Sequence, residues 1–359
     1  MSKKIIFTAG GTGGHILPAL NLMKHFFEKG YDVVLVTDKR GNVFISNNSK
    51  FRSYILTSGT PTNKNFFYKI FSFFIIFYSL IKSFKILKKE KADLVIGFGG
   101  YVSFPLSFAS KFFNLPLFIY ENNSVLGRAN KSLLPFAKKI LLANIIKKNF
   151  PKKYENKIQE VGPILNKNIL DNSKIEKNYN KDNFSLLILG GSQGAEIFGK
   201  IIPSVVKMIK NEGHNIEIMQ QCTRSQKESI IDYYKKNDIK HYVFEFDINV
   251  IKLILSSDLV ISRCGASTTA ELAYTITPFI AVPLPNSIDN HQYLNAKFYE
   301  DRGCCWILEQ NNFNSKNLFN LIMEVVKDKN KLKNLHNNMK KISKKNVYID
   351  IENQIKEFI

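Results

Sequence analysis

Two clusters of glycine follow two apolar runs, and each could hold a phosphate. Gly10-Gly11-Thr12-Gly13-Gly14-His15 comes directly after Ile5-Ile6-Phe7-Thr8-Ala9, and Gly190-Gly191-Ser192-Gln193-Gly194 directly after Leu186-Leu187-Ile188-Leu189. A strand that runs into glycines and then into a helical pattern aims bare backbone N–H groups and a helix N-terminus at one point, and such a point attracts anions. Two of them imply two Rossmann-like halves with a cleft between. Gly11-x-Gly13 is not a full dinucleotide fingerprint, because Ile16 stands where a third glycine is needed. Gly194 to Lys200 has the spacing of a Walker loop, but Ile201 replaces the hydroxyl that would hold magnesium, and the segment is helical in pattern. Asp-x-Asp does not occur, so no metal or other cofactor is expected. Charge on a leaving group then falls to loop amides, helix N-termini and Ser192.

The elements around these clusters repeat. Strand patterns at 4–9, 32–37, 53–57, 93–97, 116–120, 139–143 and 158–161 alternate with helical ones, then restart at 184–189, 215–220, 241–245, 258–262, 279–282 and 304–308. This alternation predicts two doubly wound α/β domains with parallel sheets. The expected division is 1–163, a polar linker 164–183, a second domain 184–341, and a C-terminal helix 342–359 that packs back on the first domain. The four cysteines, Cys222, Cys264, Cys304 and Cys305, have neither metal-ligand nor disulfide-framework spacing, as in a reduced cytosolic protein. The first strand begins at once, so no signal peptide is expected.

Six motifs, in register along nearly the whole chain, resemble the MurG family of peptidoglycan N-acetylglucosaminyltransferases, which have the GT-B fold. They are Gly10–His15; Gly97-Phe98-Gly99-Gly100-Tyr101-Val102-Ser103; Glu121-Asn122-Asn123; Gly190–Ala195; Arg263-Cys264-Gly265-Ala266-Ser267-Thr268-Thr269-Ala270-Glu271; and Asp289-Asn290-His291-Gln292 with Asn295-Ala296. The resemblance implies inverting transfer of N-acetylglucosamine from UDP-N-acetylglucosamine to lipid I, an undecaprenyl-pyrophosphoryl muramyl-pentapeptide, giving lipid II. The donor would bind mainly the C-terminal domain, through Ser192, Ala266, Ser267, Thr268, Thr269, Ala270, Glu271 and Gln292. Glu271 would accept the ribose hydroxyls, and Gln292 would read sugar hydroxyls through both ends of its amide. The acceptor would bind the N-terminal domain, near Thr12, Gly13, Gly14 and Asn123. His15 either orients the first loop or is the general base, and Glu121 is a base or a binding group. The family has Gln where this chain has Asn122, and Arg where it has Asn166. Asn166 remains a candidate donor contact, with Lys167 the nearest cation. The rival readings are another GT-B transferase acting on a lipid, and a basic membrane- or nucleic-acid-binding scaffold. The second leaves all six motifs unexplained.

Charge and hydropathy add a membrane expectation. The net charge is +21, and residues 1–165 hold 25 of the 51 Lys and Arg against 8 acids. Only six of the 51 are Arg, the side chain that reads bases, so no nucleic-acid partner is expected. Residues 66–87 are crowded with aromatics, and seven lysines lie between 64 and 91. The longest charge-free run, Ile70 to Ile81, falls short of the roughly 20 apolar residues of a spanning helix. The segment is therefore expected to lie in the interface of an anionic membrane rather than to serve as an ordinary core helix, with the protein peripheral at the cytoplasmic face.

Overall fold

The computed structural model describes residues 2–11, 13–45, 51–57, 59, 66–145, 150–172, 179, 182–191, 194–247, 249–342 and 346–359, with the side chains of 66–69 and 171–172 also outside the description. The chain forms two compact units, Met1–Asn166 with Lys345–Ile359, and Lys167–Lys344.

In the first unit the strands are β1 (Lys4–Thr8), β2 (Asp32–Thr37), β3 (Arg52–Ile55), β4 (Leu94–Gly97), β5 (Leu117–Glu121), β6 (Lys139–Leu142) and β7 (Ile158–Glu160). All pair in parallel, in the order β3-β2-β1-β4-β5-β6-β7. The helices are α1 (Gly13–Glu28), α2 (Lys39–Asn42), α3 (Phe66–Glu90), α4 (Ser103–Ser110) and α5 (Arg128–Leu133). Runs such as Ile5-Ile6-Phe7 are wholly buried, as a parallel strand covered on both faces requires. The order reverses between β1 and β4, and the loops that leave these two strands carry Gly10–His15 and Gly97–Ser103. Ligands of open parallel sheets bind at that reversal.

The second unit starts with α6 (Lys167–Asn172), followed by β8 (Phe184–Leu189), α7 (Glu196–Asn211), β9 (Ile216–Gln221), α8 (Lys227–Lys236), β10 (Lys240–Phe244), α9 (Val250–Ser256), β11 (Leu259–Ser262), α10 (Ala266–Tyr274), β12 (Phe279–Ala281), α11 (His291–Glu300), β13 (Cys305–Ile307), α12 (Ser315–Lys327) and α13 (Asn330–Lys340). Its parallel sheet runs β10-β9-β8-β11-β12-β13. The reversal lies between β8 and β11, whose exits are Gly190–Ala195 and Arg263–Gly265. Phe198, Ile202, Val205, Val206 and Ile209 give α7 a single buried stripe at helical spacing.

Two segments differ from expectation, and a third, at the C-terminus, packs on the first unit. The stretch read as a polar linker, 164–183, holds α6, and both Ile169 and Tyr179 are buried, Tyr179 within the core of the second unit. Isolated apolar anchors in a polar run leave no periodic signal. The C-terminal region forms three helices. The last, α14 (Val347–Lys356), buries Val347, Tyr348, Ile351 and Ile355 in the first unit. There Glu352 meets His25 at 3.2 Å and Phe358 meets Phe118 edge to face. Finally, α3 is 25 residues long, and its portion Ile70–Glu90 is long and apolar enough to cross a membrane by length and composition. The expectation that it is too short is therefore corrected: lysines 82 and 85 interrupt the apolar run without ending the helix. One face of α3 is nevertheless committed to its own domain. Ser72, Ser79, Ser83, Ile86 and Leu87 are buried, Ser79 Oγ donates to Thr57 O at 2.7 Å, and Glu90 pairs with Lys4 and Arg52.

Candidate active site

In the first unit the two glycine loops touch. A Cβ on Gly100, whose φ is +79°, would meet Gly10 O at 2.8 Å, and one on Gly10 would fall 2.1 Å from Val102 Cγ1. No larger residue fits this crossing. His15, in the first turn of α1, lies against the second loop: a Cβ on Gly99 would sit 2.7 Å from its Cδ2. Asn122 completes the frame by donating from Nδ2 to Gly14 O at 3.1 Å while Tyr120 Oη donates to its Oδ1 at 3.2 Å. The shorter amide in place of the family's Gln thus spans from β5 to the first loop. His15 is the one histidine in the sequence of the two loops.

Glu121 is different. It is buried, and its Oε1 accepts from Asn123 N and Nδ2, both at 3.1 Å, while Oε2 accepts from Gly127 N at 2.8 Å and Asn130 Nδ2 at 2.9 Å. A carboxylate already holding four donors shapes the loop from 121 to 130 and is poorly placed to take a proton. Of its two expected readings, base and binding group, these four donors speak against the base. Asn123 spends its side-chain amide N–H on the same carboxylate. Gly13 and Gly14 open α1, and Asn166 ends the first of the two segments that make up the unit. Thr12 lies outside the described residues.

In the second unit side-chain amides hold the loops. Gln221, at the end of β9, accepts from Gly190 N through Oε1 at 3.0 Å and donates from Nε2 to Glu245 O at 3.0 Å. Gly194 has φ +70°, and a Cβ there would meet Thr223 Cγ2 at 2.8 Å. Ser192 lies outside the described residues. Among the described residues no side chain caps the N-terminus of α7, whose N-cap is Ala195, and an uncapped helix N-terminus favours an anionic acceptor.

The helix α10 divides its residues by face. Thr269 and Ala270 are buried, and Thr269 Oγ1 bonds back to Gly265 O and Ala266 O. Of the six expected donor residues from Ala266 to Glu271, these two have buried side chains and can offer a ligand only backbone. Ala266 is also buried and can offer only backbone. Ser267, Thr268 and Glu271 share the half-buried face, at spacings of four and three. Desolvation pushes the Glu271 carboxyl up to about 7. Gln292, on α11, accepts from Cys264 N at 3.1 Å and Leu284 N at 3.0 Å through Oε1, and Asn295 Nδ2 donates to Cys264 O at 3.1 Å. The pair clamps the peptide that opens α10. The carbonyl end of Gln292 is thus spent, and only its Nε2 remains for a sugar hydroxyl. Asp289 and Asn290 reach α11 through left-handed backbone, φ +53° and +55°, which Asp and Asn tolerate better than other non-glycine residues. Arg263 is a pin rather than a ligand: it donates to Val282 O, Pro283 O and Gln310 Oε1, and it lies over the Phe198 ring. Gln221 was missed from sequence, although it ends an apolar run beside β8.

Residues 5–142 match the glycosyltransferase family 28 N-terminal domain and residues 185–354 its C-terminal domain. A UDP-N-acetylglucosamine--N-acetylmuramyl-(pentapeptide) pyrophosphoryl-undecaprenol N-acetylglucosamine transferase of Pelagibacter ubique (strain HTCC1062) is 36% identical over 358 residues, 99% of this chain and 98% of its own. The transferase of the same name from Rickettsia canadensis (strain McKiel) is 36% identical over 359 residues, 99% of this chain and 100% of its own. The chain belongs to the MurG family. The crystal structure of MurG from Acinetobacter baumannii has the same fold, with a TM-score of 0.81 at 24% identity over 99% of both chains. A MurG-family chain is a glycosyltransferase, and its two doubly wound sheets are those of the GT-B fold. Among the described residues, no group of three or more His, Cys, Asp or Glu could hold a metal ion.

Proposed function

We infer that the chain transfers N-acetylglucosamine from UDP-N-acetylglucosamine to the muramyl 4-hydroxyl of lipid I, with inversion, giving lipid II. The carrying observation is the repeated placement: in each sheet, the family's glycine loops leave the two strands that flank the reversal of strand order. The second unit takes the donor. Glu271 accepts the ribose hydroxyls, Gln292 Nε2 donates to the sugar, and the open amides of α7 with those opening α10 receive the diphosphate as it leaves. The first unit takes the acceptor. His15 accepts the proton of the attacking hydroxyl, a role that Glu121 cannot fill while its oxygens hold four donors. Asn166 is a candidate donor contact that supplies no charge. Glycine-loop amides and helix N-termini suffice for the leaving charge, so EDTA should leave turnover intact.

The enzyme works as a peripheral protein at the cytoplasmic face of the membrane, because the acceptor's polyprenyl chain stays in the bilayer. The outer face of α3 supports this. Phe73, Phe74 and Phe77 are 66%, 64% and 54% exposed, and Phe71, Tyr78 and Ile81 are exposed with them. Lysines 85, 88 and 89 are also exposed on this helix. A helix with its inner face bonded to its own domain lies along a membrane surface rather than through it. The deciding experiment incubates the protein with radiolabelled UDP-N-acetylglucosamine and a lipid I analogue. A labelled disaccharide is expected; hydrolysis of the donor without a disaccharide would refute the reading.

A further inference from the structure

The outer rim of the first glycine loop joins a cation to an apolar shelf. A Cβ on Gly11 would lie 3.6 Å from Arg40 Nη2, while one on Gly13 would lie 3.4 Å from Leu17 Cδ1 and 3.6 Å from Phe44 Cζ. The buried Asp38 orients the cation. Its Oδ2 accepts from Arg40 Nη2 at 3.2 Å, and its Oδ1 accepts from Gly41 N at 2.8 Å and Gly11 N at 3.3 Å. One carboxylate thus registers the guanidinium to the loop, yet the Arg40 side chain stays 65% exposed. Leu17 and Phe44 are 39% and 40% exposed and Val43 is 81% exposed, although core positions abound nearby. Arginine is scarce here, six of 51 cations. Its planar fork can hold Asp38 with one N–H and still present others, where a lysine would give its single charge to Asp38.

We propose that Arg40 binds the pyrophosphate of the acceptor and that Leu17, Phe44 and Val43 receive its first isoprene units. A polyprenyl pyrophosphate puts its charge and its first apolar group at adjacent positions, and this rim does the same on two residues of one loop. A nucleotide sugar offers nothing for three exposed apolar side chains. The assignment rests on the acceptor reading of the first unit and makes the rim a determinant of lipid specificity beyond the bilayer anchor.

The test uses two soluble acceptors, muramyl-pentapeptide pyrophosphate carrying either a short prenyl chain or a methyl group. Wild type should prefer the prenyl acceptor. Arg40→Ala should raise KM for both acceptors by about tenfold with donor KM unchanged, and Arg40→Lys should recover only part of that loss. Leu17→Ser with Phe44→Ser should erase the preference, raising KM for the prenyl acceptor alone. Melting temperatures of the variants should match wild type, since the three side chains are exposed; if the double variant melts early, Val43→Ser alone serves the same comparison. A double variant that keeps the prenyl preference, or an Arg40→Ala that raises donor KM instead, overturns the proposal while leaving the transferase reading standing. Wild type inactive on both acceptors would overturn the transferase reading itself.

Discussion

Both sheets carry their glycine loops at the reversal of strand order, but they hold them by different means. In the first unit backbone packs on backbone: Gly100 against Gly10, Gly99 against the His15 ring. In the second, side-chain amides do the work, Gln221 on Gly190 and Gln292 with Asn295 on Cys264. The first arrangement admits no side chain at the crossing and leaves apolar groups and one arginine at its rim. The second leaves hydroxyls, an amide N–H and a carboxyl facing out from α10 and α11. A nucleotide sugar is dense in hydrogen-bonding groups, and a lipid pyrophosphate is a charge with a hydrocarbon tail. The two loop systems differ in the same sense, so the comparison predicts which substrate each variant disturbs.

The largest effect should come from the first unit. His15→Ala should lower kcat by about 10²–10⁴-fold, the range for loss of a general base. UDP binding, measured by calorimetry, should remain at the wild-type value. Loss of UDP affinity with kcat preserved would reverse the assignment. Glu121→Gln should behave as a folding lesion instead: the neutral amide loses part of a buried network of four hydrogen bonds, so the melting temperature should fall along with activity.

Glu271 gives the matching test in the second unit. Glu271→Ala should weaken donor binding by about 1–3 kcal/mol, because ribose hydroxyls lose their acceptor. The wild-type pH profile should show the same group. Ribose hydroxyls donate to the ionised form, so donor affinity should fall as the pH drops through about 7, and UDP binding near pH 7 should release protons. In Glu271→Gln both effects should vanish. Stability runs the other way. A carboxyl raised from 4.5 to about 7 by burial favours the folded state when protonated, so its penalty is absent below 4.5, grows up to about 7 and persists above. Glu271→Gln should therefore melt higher than wild type at pH 8 and gain little at pH 4.

The exposed aromatic face of α3 should respond independently. Replacing Phe73, Phe74 and Phe77 by Ser should release the protein from anionic vesicles in flotation while UDP binding stays unchanged. Wild type should float less with neutral vesicles and less at high salt, since each lysine near an anionic surface contributes about 1 kcal/mol. Equal flotation of wild type and variant would assign the aromatic face to something other than lipid.

The sheets were legible because parallel strands read as unbroken apolar runs and glycine marks their exits. Strands form where all thirteen runs predict them. What sequence could not show was phase and saturation. Ala266–Glu271 is small and polar throughout, so nothing in it separates the buried Thr269 from the half-exposed Thr268. The four donors on Glu121 come from residues two to nine positions later, and only the density of Asn at 122, 123 and 130 hints at them. The role of Gln292 likewise depends on where Cys264 and Leu284 end up in space. α6 and the full length of α3 were obscured by single charged or apolar residues that break a pattern without breaking a helix.

The smallest effect sharpens the comparison at the boundary. Asn166 ends the N-terminal segment of the first unit, and Lys167 opens α6. The family's arginine at this place would add a charge-assisted hydrogen bond to a donor phosphate, worth about 1.5–3 kcal/mol when fully made. A solvated position with a lysine next in sequence realises only part of it, so Asn166→Arg should tighten UDP binding by less than tenfold. The gain should appear for UDP and be absent for uridine, because only the phosphates see the new charge, and it should shrink as salt rises. An equal gain for uridine would mean that the arginine packs against the nucleoside. No gain for either would mean that Lys167 already neutralises the phosphate, and Lys167→Ala should then weaken UDP alone.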